Sequence, residues 1–208
     1  MIKGRMICLE GGEGAGKSTA LAVVRDWLES RARNVLTTRE PGGTPTAEKI
    51  RALLLDPATG KLDPVSELLL MFAARRENVV NVIAPALEEG IDVICDRFTD
   101  ASYAYQGAGR GLGDEPVDRL AQMVHPELVP DLVLVMDVPV ELGLQRIRAR
   151  AAAPDRFEAD RAEFLERVRR AYLARAAQNP RRYAVIDASR DLPDVAATLR
   201  DTLAERLE

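Results

Sequence analysis

The chain has 208 residues, a net charge of -4, a pI near 5.3 and 47% hydrophobic residues, enough for one buried core. Its acidic balance excludes a protein whose overall field gathers nucleic acid or anionic membrane, and no apolar run approaches the roughly 18 residues of a membrane span. A cytoplasmic protein with neither nucleic acid nor membrane as partner is therefore expected, and Cys8 and Cys95, each in a short apolar run, read as buried free thiols.

In chain order, a strand over residues 6–9 leads through the glycine-rich turn GGEGAGKST into a helix over 17–31. A second strand, 35–38, precedes TREPGGT and helices over 46–55 and 64–89. The longer of these carries Leu68, Phe72, Val79, Val82 and Ile83 at three- and four-residue spacing. A third strand, 92–95, runs into DRFTDASYAYQGAGRG, followed by a helix over 114–124, a fourth strand over 132–136, helices over 140–152 and 160–178, a fifth strand over 183–186 and a last helix over 192–207. Strands alternating with long helices predict an α/β protein whose parallel sheet is covered on both faces. Between Arg146 and Arg182 the chain places eleven arginines against five acidic residues, a composition read as a basic lid.

The turn carries the first chemistry. GGEGAGKST fits GxxxxGKS at Gly11, Gly16, Lys17 and Ser18, between a predicted strand and a predicted helix. There the glycines let backbone N–H groups converge on phosphate oxygens, Lys17 bridges phosphates, and Ser18 can ligate Mg²⁺. The motif implies a nucleoside triphosphate, but ATPases, GTPases and small-molecule kinases all share it. In a parallel sheet the carboxyl ends of the strands line one edge, so Arg39, Arg97 and Arg110 are expected to converge with Lys17 on one crevice. A GTPase would need an Asn/Thr-Lys-x-Asp segment after a strand, and DVPV at 137–140 is not one.

Taken together, GGEGAGKST, TREPGGT, LLMFAARRENV, DRFTDASYAYQG and DRFE resemble the bacterial thymidylate kinases, over nearly the whole chain. The resemblance implies transfer of the γ-phosphoryl of ATP to dTMP, giving dTDP. It also implies the nucleoside monophosphate kinase version of the P-loop fold, a five-stranded parallel sheet in the order 2-3-1-4-5, with residues 1–208 as one domain and a lid at about 148–161. A homodimer through the helix over 64–89 is implied as well.

Site roles follow from the same resemblance. Gly11, Gly12, Glu13, Gly14, Ala15, Gly16, Lys17, Ser18 and Thr19 would hold ATP, with Glu13 also reaching the deoxyribose 3′-OH. Arg39, Arg51 and Arg97 would surround the acceptor phosphate, Arg97 bridging to the donor. Phe72 would stack on thymine and Arg76 read a thymine carbonyl; their four-residue spacing suits one helix face. Arg75 falls at a variable family position and receives no role. Ser102 and Gln106 would lie near base and sugar, and Tyr105 would crowd the space of a 2′-OH. Ser18, with Asp96 acting through water, would hold Mg²⁺. Some family members carry an arginine in the phosphate loop where this chain has Gly14. The resemblance therefore moves that role to the lid, to Arg156 of DRFE with Arg148, Arg150 and Arg161 nearby, and makes Lys17, Arg97, Arg156 and Glu13 the catalytic set. A phosphate acceptor is already an oxyanion, so no general base is needed. His125, before a proline, reads as a cap or surface residue.

Overall fold

Five strands form where the apolar runs lie, and each continues one residue past its run: β1 Met6–Glu10, β2 Val35–Arg39, β3 Asp92–Asp96, β4 Leu132–Asp137 and β5 Tyr183–Asp187. A ladder of backbone hydrogen bonds is indifferent to side-chain polarity, so the added residue in every strand is charged. Glu10, Arg39, Asp96, Asp137 and Asp187 thus stand along the carboxyl edge of the sheet. The computed structural model describes residues 3–149 and 158–208, the last of these with residues 158–160 as backbone only.

The sheet order is β2-β3-β1-β4-β5, all parallel, with Cys8 opposite Cys95 on one side and Val133 on the other. β1 lies at the centre and is buried throughout. Its alternation feeds two cores. Ile7 and Leu9 pack with Trp27 and Leu28 of α1 (Lys17–Glu29) and Leu199 and Leu203 of α9 (Leu192–Leu207). On the opposite face, Met6 and Cys8 pack with Val79, Ile83, Val168 and Tyr172. Cys8 and Cys95 are free and buried, as expected, and burial pushes both thiols up. Among the described residues, no helix is long and apolar enough to cross a membrane.

Helix α2 spans Pro45–Leu55, capped by the Thr44 side chain. The helix expected over 64–89 is divided: α3 (Pro64–Asn78), a π-helical turn (Val79–Ile83) and α4 (Ala84–Glu88). The wide turn falls just before Pro85, which lacks an N–H and whose ring clashes with the preceding turn of an unbroken helix. The segment after β3, for which the sequence suggested no helix, forms α5 (Thr99–Ser102) and a π-helical turn (Tyr103–Gly109). Two glycines there weaken any helix signal, and one is required by packing: a Cβ on Gly109 would lie 2.6 Å from the Phe164 ring. The remaining helices are α6 (Glu115–Val124), α7 (Val140–Arg148) and α8 (Glu158–Gln178).

Candidate active site

β1 delivers the chain to the phosphate loop. Gly11, Gly14 and Gly16 all take positive φ, at 130°, 71° and 81°, where a side chain is strained. No side chain caps the start of α1, so its free N–H groups and dipole face the loop as an anion site. Lys17 folds over that loop, donating to the carbonyls of Gly12 at 3.0 Å and Gly11 at 3.3 Å. Burial, then the neighbouring Arg97 cation, lower its ammonium to about 8. Glu13 accepts from Arg161 Nη2 at 2.5 Å, which ties the loop to α8. Ser18 and Thr19, at the first turn of α1, are exposed.

Beside the loop lies a cavity of about 470 Å³ that contains Ser18, Arg39 and Asp96. The Asp96 Oδ1 is buried with no hydrogen-bond partner among the described residues. An unsatisfied carboxylate oxygen sharing a cavity with the loop hydroxyl suits a hard divalent cation that keeps most of its shell as water and phosphate. Among the described residues there is no cluster of three or more metal-ligating side chains, as such a cation requires none. Arg39 lines this cavity, pairs with Glu48 at 2.9 Å and lies near enough to Arg51 for its charge to act there.

A second cavity, of about 270 Å³, is walled by Arg51, Arg97, Tyr105 and Gln106 together with Glu67 and Met71. Arg51 donates to the Pro41 carbonyl at 2.8 Å, and burial, then Arg39, lower its pKa. Arg97 takes φ 70°, a left-handed conformation uncommon outside glycine and concentrated at functional sites. Its Nη2 donates to Tyr105 Oη at 3.0 Å. Gln106 donates to Glu67 Oε1 at 2.7 Å while its own Oε1 is buried and unpartnered. Since a carboxylate offers only acceptors, this bond fixes the amide with its carbonyl oxygen free for a donor.

The structure does not bring Phe72 and Arg76 into this cavity. Phe72 is 2% exposed, in a core with Leu68, Tyr103, Val117 and Val124, and stacks parallel to His125. Arg76 points the other way, donating to the Val124 carbonyl at the end of α6 at 2.7 Å. The helical phase explains both placements: Leu68, Phe72, Val79 and Ile83 form the buried stripe, which turns Met71 toward the cavity and Arg75 beneath it. Arg75 is wholly buried, bonded to Glu40 Oε2 at 2.6 Å, to the Phe98 carbonyl at 3.0 Å and to Ser102 Oγ at 3.1 Å. Ser102 therefore serves Arg75 rather than facing the cavity. His125 is also buried, hydrogen-bonded to Thr99 at 2.8 Å, and burial, then Arg75, lower its imidazole to about 4. Arg156 and Arg150 lie outside the described residues.

A phosphate loop beside a cavity walled by arginines is an arrangement suited to phosphorylated ligands. With the 2-3-1-4-5 sheet, that defines a P-loop phosphotransferase of the nucleoside monophosphate kinase fold. The chain belongs to the thymidylate kinase family, whose model matches residues 9–199. It is 55% identical to the thymidylate kinase of Chromohalobacter salexigens over all of this chain and 98% of that protein, and 52% identical to that of Pseudomonas syringae at the same coverage. Among solved structures it resembles thymidylate kinase from Ehrlichia chaffeensis, with a TM-score of 0.79 and 34% identity over 97% of this chain and 99% of that one.

Proposed function

We infer that the chain transfers the γ-phosphoryl of ATP to the 5′-phosphate of dTMP, forming dTDP for dTTP synthesis, with the phosphate loop as donor site and the cavity of about 270 Å³ as acceptor site. The observation that carries this reading is the position of Arg97, which walls the acceptor cavity and whose charge depresses Lys17 of the donor loop. An acceptor phosphate placed between Arg51 and Arg97 faces the γ-phosphoryl in line, and positioning with charge neutralisation then carries the rate. Ser18, with Asp96 acting through water, would hold Mg²⁺, which would supply further charge neutralisation. Glu13 stands at the loop beside the sugar, and Tyr105 narrows the space at its 2′ position.

The base lies against Met71, and Gln106 Oε1 accepts the thymine N3–H. Cytosine presents an acceptor at N3, so the same oxygen repels it. Arg156, outside the described residues, is the arginine we assign to completing the charge around the transferred group. Exposed Val65, Leu69 and Val80 along α3 and its π turn support a second copy of the chain on that face.

A coupled assay across dTMP, dUMP, dCMP, dGMP and thymidine tests the reading. The expected order is dTMP first, and dUMP lower by about 10- to 100-fold for the missing methyl. Phosphorylation of thymidine, or equal turnover of dCMP or dGMP, refutes it.

A further inference from the structure

Arg97 is held at both ends by one carboxylate. Glu10, the last residue of β1, accepts from the Phe98 N–H at 2.7 Å through Oε1, so it grips the peptide that follows Arg97. Through Oε2 it accepts from Tyr172 Oη at 2.8 Å, and that same hydroxyl accepts from Arg97 Nη1 at 3.1 Å. The Arg97 N–H, in turn, donates to the Leu9 carbonyl at 2.9 Å. Glu10 is wholly buried and Tyr172 is 2% exposed, neither walling the acceptor cavity. Burial, and then Asp100, push the Glu10 carboxyl up, against the pull of Arg97. A buried carboxyl must have its polar atoms satisfied, and here both oxygens are committed to the Phe98 peptide and to Tyr172.

We propose that Glu10 and Tyr172 are positioning residues that brace Arg97, fixing its left-handed backbone and aiming its guanidinium at the junction of donor and acceptor sites. This rests on the reading of Arg97 as the arginine of the transfer centre. Tyr172 belongs to α8, and α8 also carries Arg161, bonded to Glu13 of the phosphate loop. The brace therefore makes the aim of Arg97 depend on how α8 seats against the sheet. A guanidinium with Tyr105 as its remaining side-chain partner keeps its charge but loses one of two points of orientation.

The test is a double-mutant cycle of Tyr172→Phe and Arg97→Ala in the full chain, reading kcat and both Michaelis constants for dTMP and ATP. Phenylalanine retains the buried ring and removes only the hydroxyl. Tyr172→Phe is expected to lower kcat about 10- to 100-fold, as misplacement of a transfer group does, with the KM for ATP within about threefold. In the Arg97→Ala background the same change should cost less than about threefold, because the group it aims is gone. Equal losses in both backgrounds overturn the brace, since a purely structural role is independent of Arg97. So does an Arg97→Ala chain that is crippled while Tyr172→Phe is normal. If Arg97→Ala itself retains its rate, the assignment of Arg97 under the proposed function falls, and the brace with it. Should Tyr172→Phe not fold, Glu10→Gln is read by the same cycle: a selective kcat loss that vanishes without Arg97 supports the brace, and an unchanged kcat overturns it.

Discussion

Arg75 and Arg76 are adjacent, yet replacing each with alanine should give opposite kinds of enzyme. The Arg75–Glu40 pair is 2.6 Å apart with side chains 0% and 1% exposed. Removing one partner of such a pair leaves a buried charge without compensation, at a cost of about 3–5 kcal/mol. For a chain of this size that lowers Tm by about 6–20 °C. Arg76 is exposed and makes one hydrogen bond, to the Val124 carbonyl, worth about 1 kcal/mol and a few degrees. Function should divide the same way. Glu40 walls the acceptor cavity, and without Arg75 it stands as an unpaired carboxyl facing an anionic substrate, so the KM for dTMP rises while that for ATP holds. Arg76→Ala should leave both constants alone. Differential scanning calorimetry and steady-state kinetics on the two variants measure this, with Glu40→Leu/Arg75→Met as a check. That double variant should regain much of the stability, because an apolar pair can replace a buried ion pair. Equal Tm losses for the two alanine variants, or a dTMP defect in Arg76→Ala alone, would refute the assignment of Arg75 to the buried side of α3.

Gln106→Ala should narrow the preference for dTMP over dCMP by about tenfold in kcat/KM, because the oxygen that accepts from thymine and repels cytosine is removed; an unchanged ratio places base recognition elsewhere. Burial and then Arg75 lower the His125 imidazole to about 4 in the fold, against about 6.5 unfolded. The unfolded chain therefore binds the extra proton between those values, and stability present above about pH 6.5 is lost as pH falls toward 4, by up to about 3 kcal/mol. Chemical denaturation of the parent and of His125→Phe across pH 4–7 should show that the variant lacks this component of the slope; parallel curves would exclude His125 as its source.

The sheet was legible because buried parallel strands are apolar runs, and their order followed once the family was named. The charged residue ending each strand was missed as strand, although Asp96 and Arg39 line the cavity beside the phosphate loop and Glu10 reaches the peptide that follows Arg97. The phosphate loop could be read residue by residue because its function lies in backbone conformation, and glycine announces that conformation. Helix α3 was harder. Phe72 and Arg76 share a face, but Met71 and Arg75 share the neighbouring one with the same spacing. Only the phase set by Leu68, Val79 and Ile83 separates the two, and those residues place Phe72 in the core. Tyr172 and Glu10 gave no signal, since their contact spans 162 positions of sequence.

Gly14 is the point where sequence and packing most constrain the mechanism. It takes φ 71°, and a Cβ there would lie 2.2 Å from the carbonyl oxygen of Gly143 in α7. A Cβ on Gly143 would in turn lie 2.6 Å from the Glu13 carbonyl. The loop and α7 thus touch backbone to backbone, which leaves no room for a side chain at position 14. The charge that develops on the transferred group must find its partner elsewhere, and α7 and α8 flank residues 150–157. Arg161 already bonds Glu13, so its loss should disturb Glu13 and raise the KM for dTMP. Arg156→Ala should instead slow the chemical step, on the order of 10³-fold as for arginines supplied to other phosphoryl transfers, with dTMP binding nearly unchanged because the charge is greatest in the transition state. Single-turnover kinetics at saturating ATP and dTMP separate the two. A normal chemical rate in Arg156→Ala with a collapse in Arg161→Ala moves the role to Arg161, and normal rates in both would mean that transfer proceeds without an arginine from this segment.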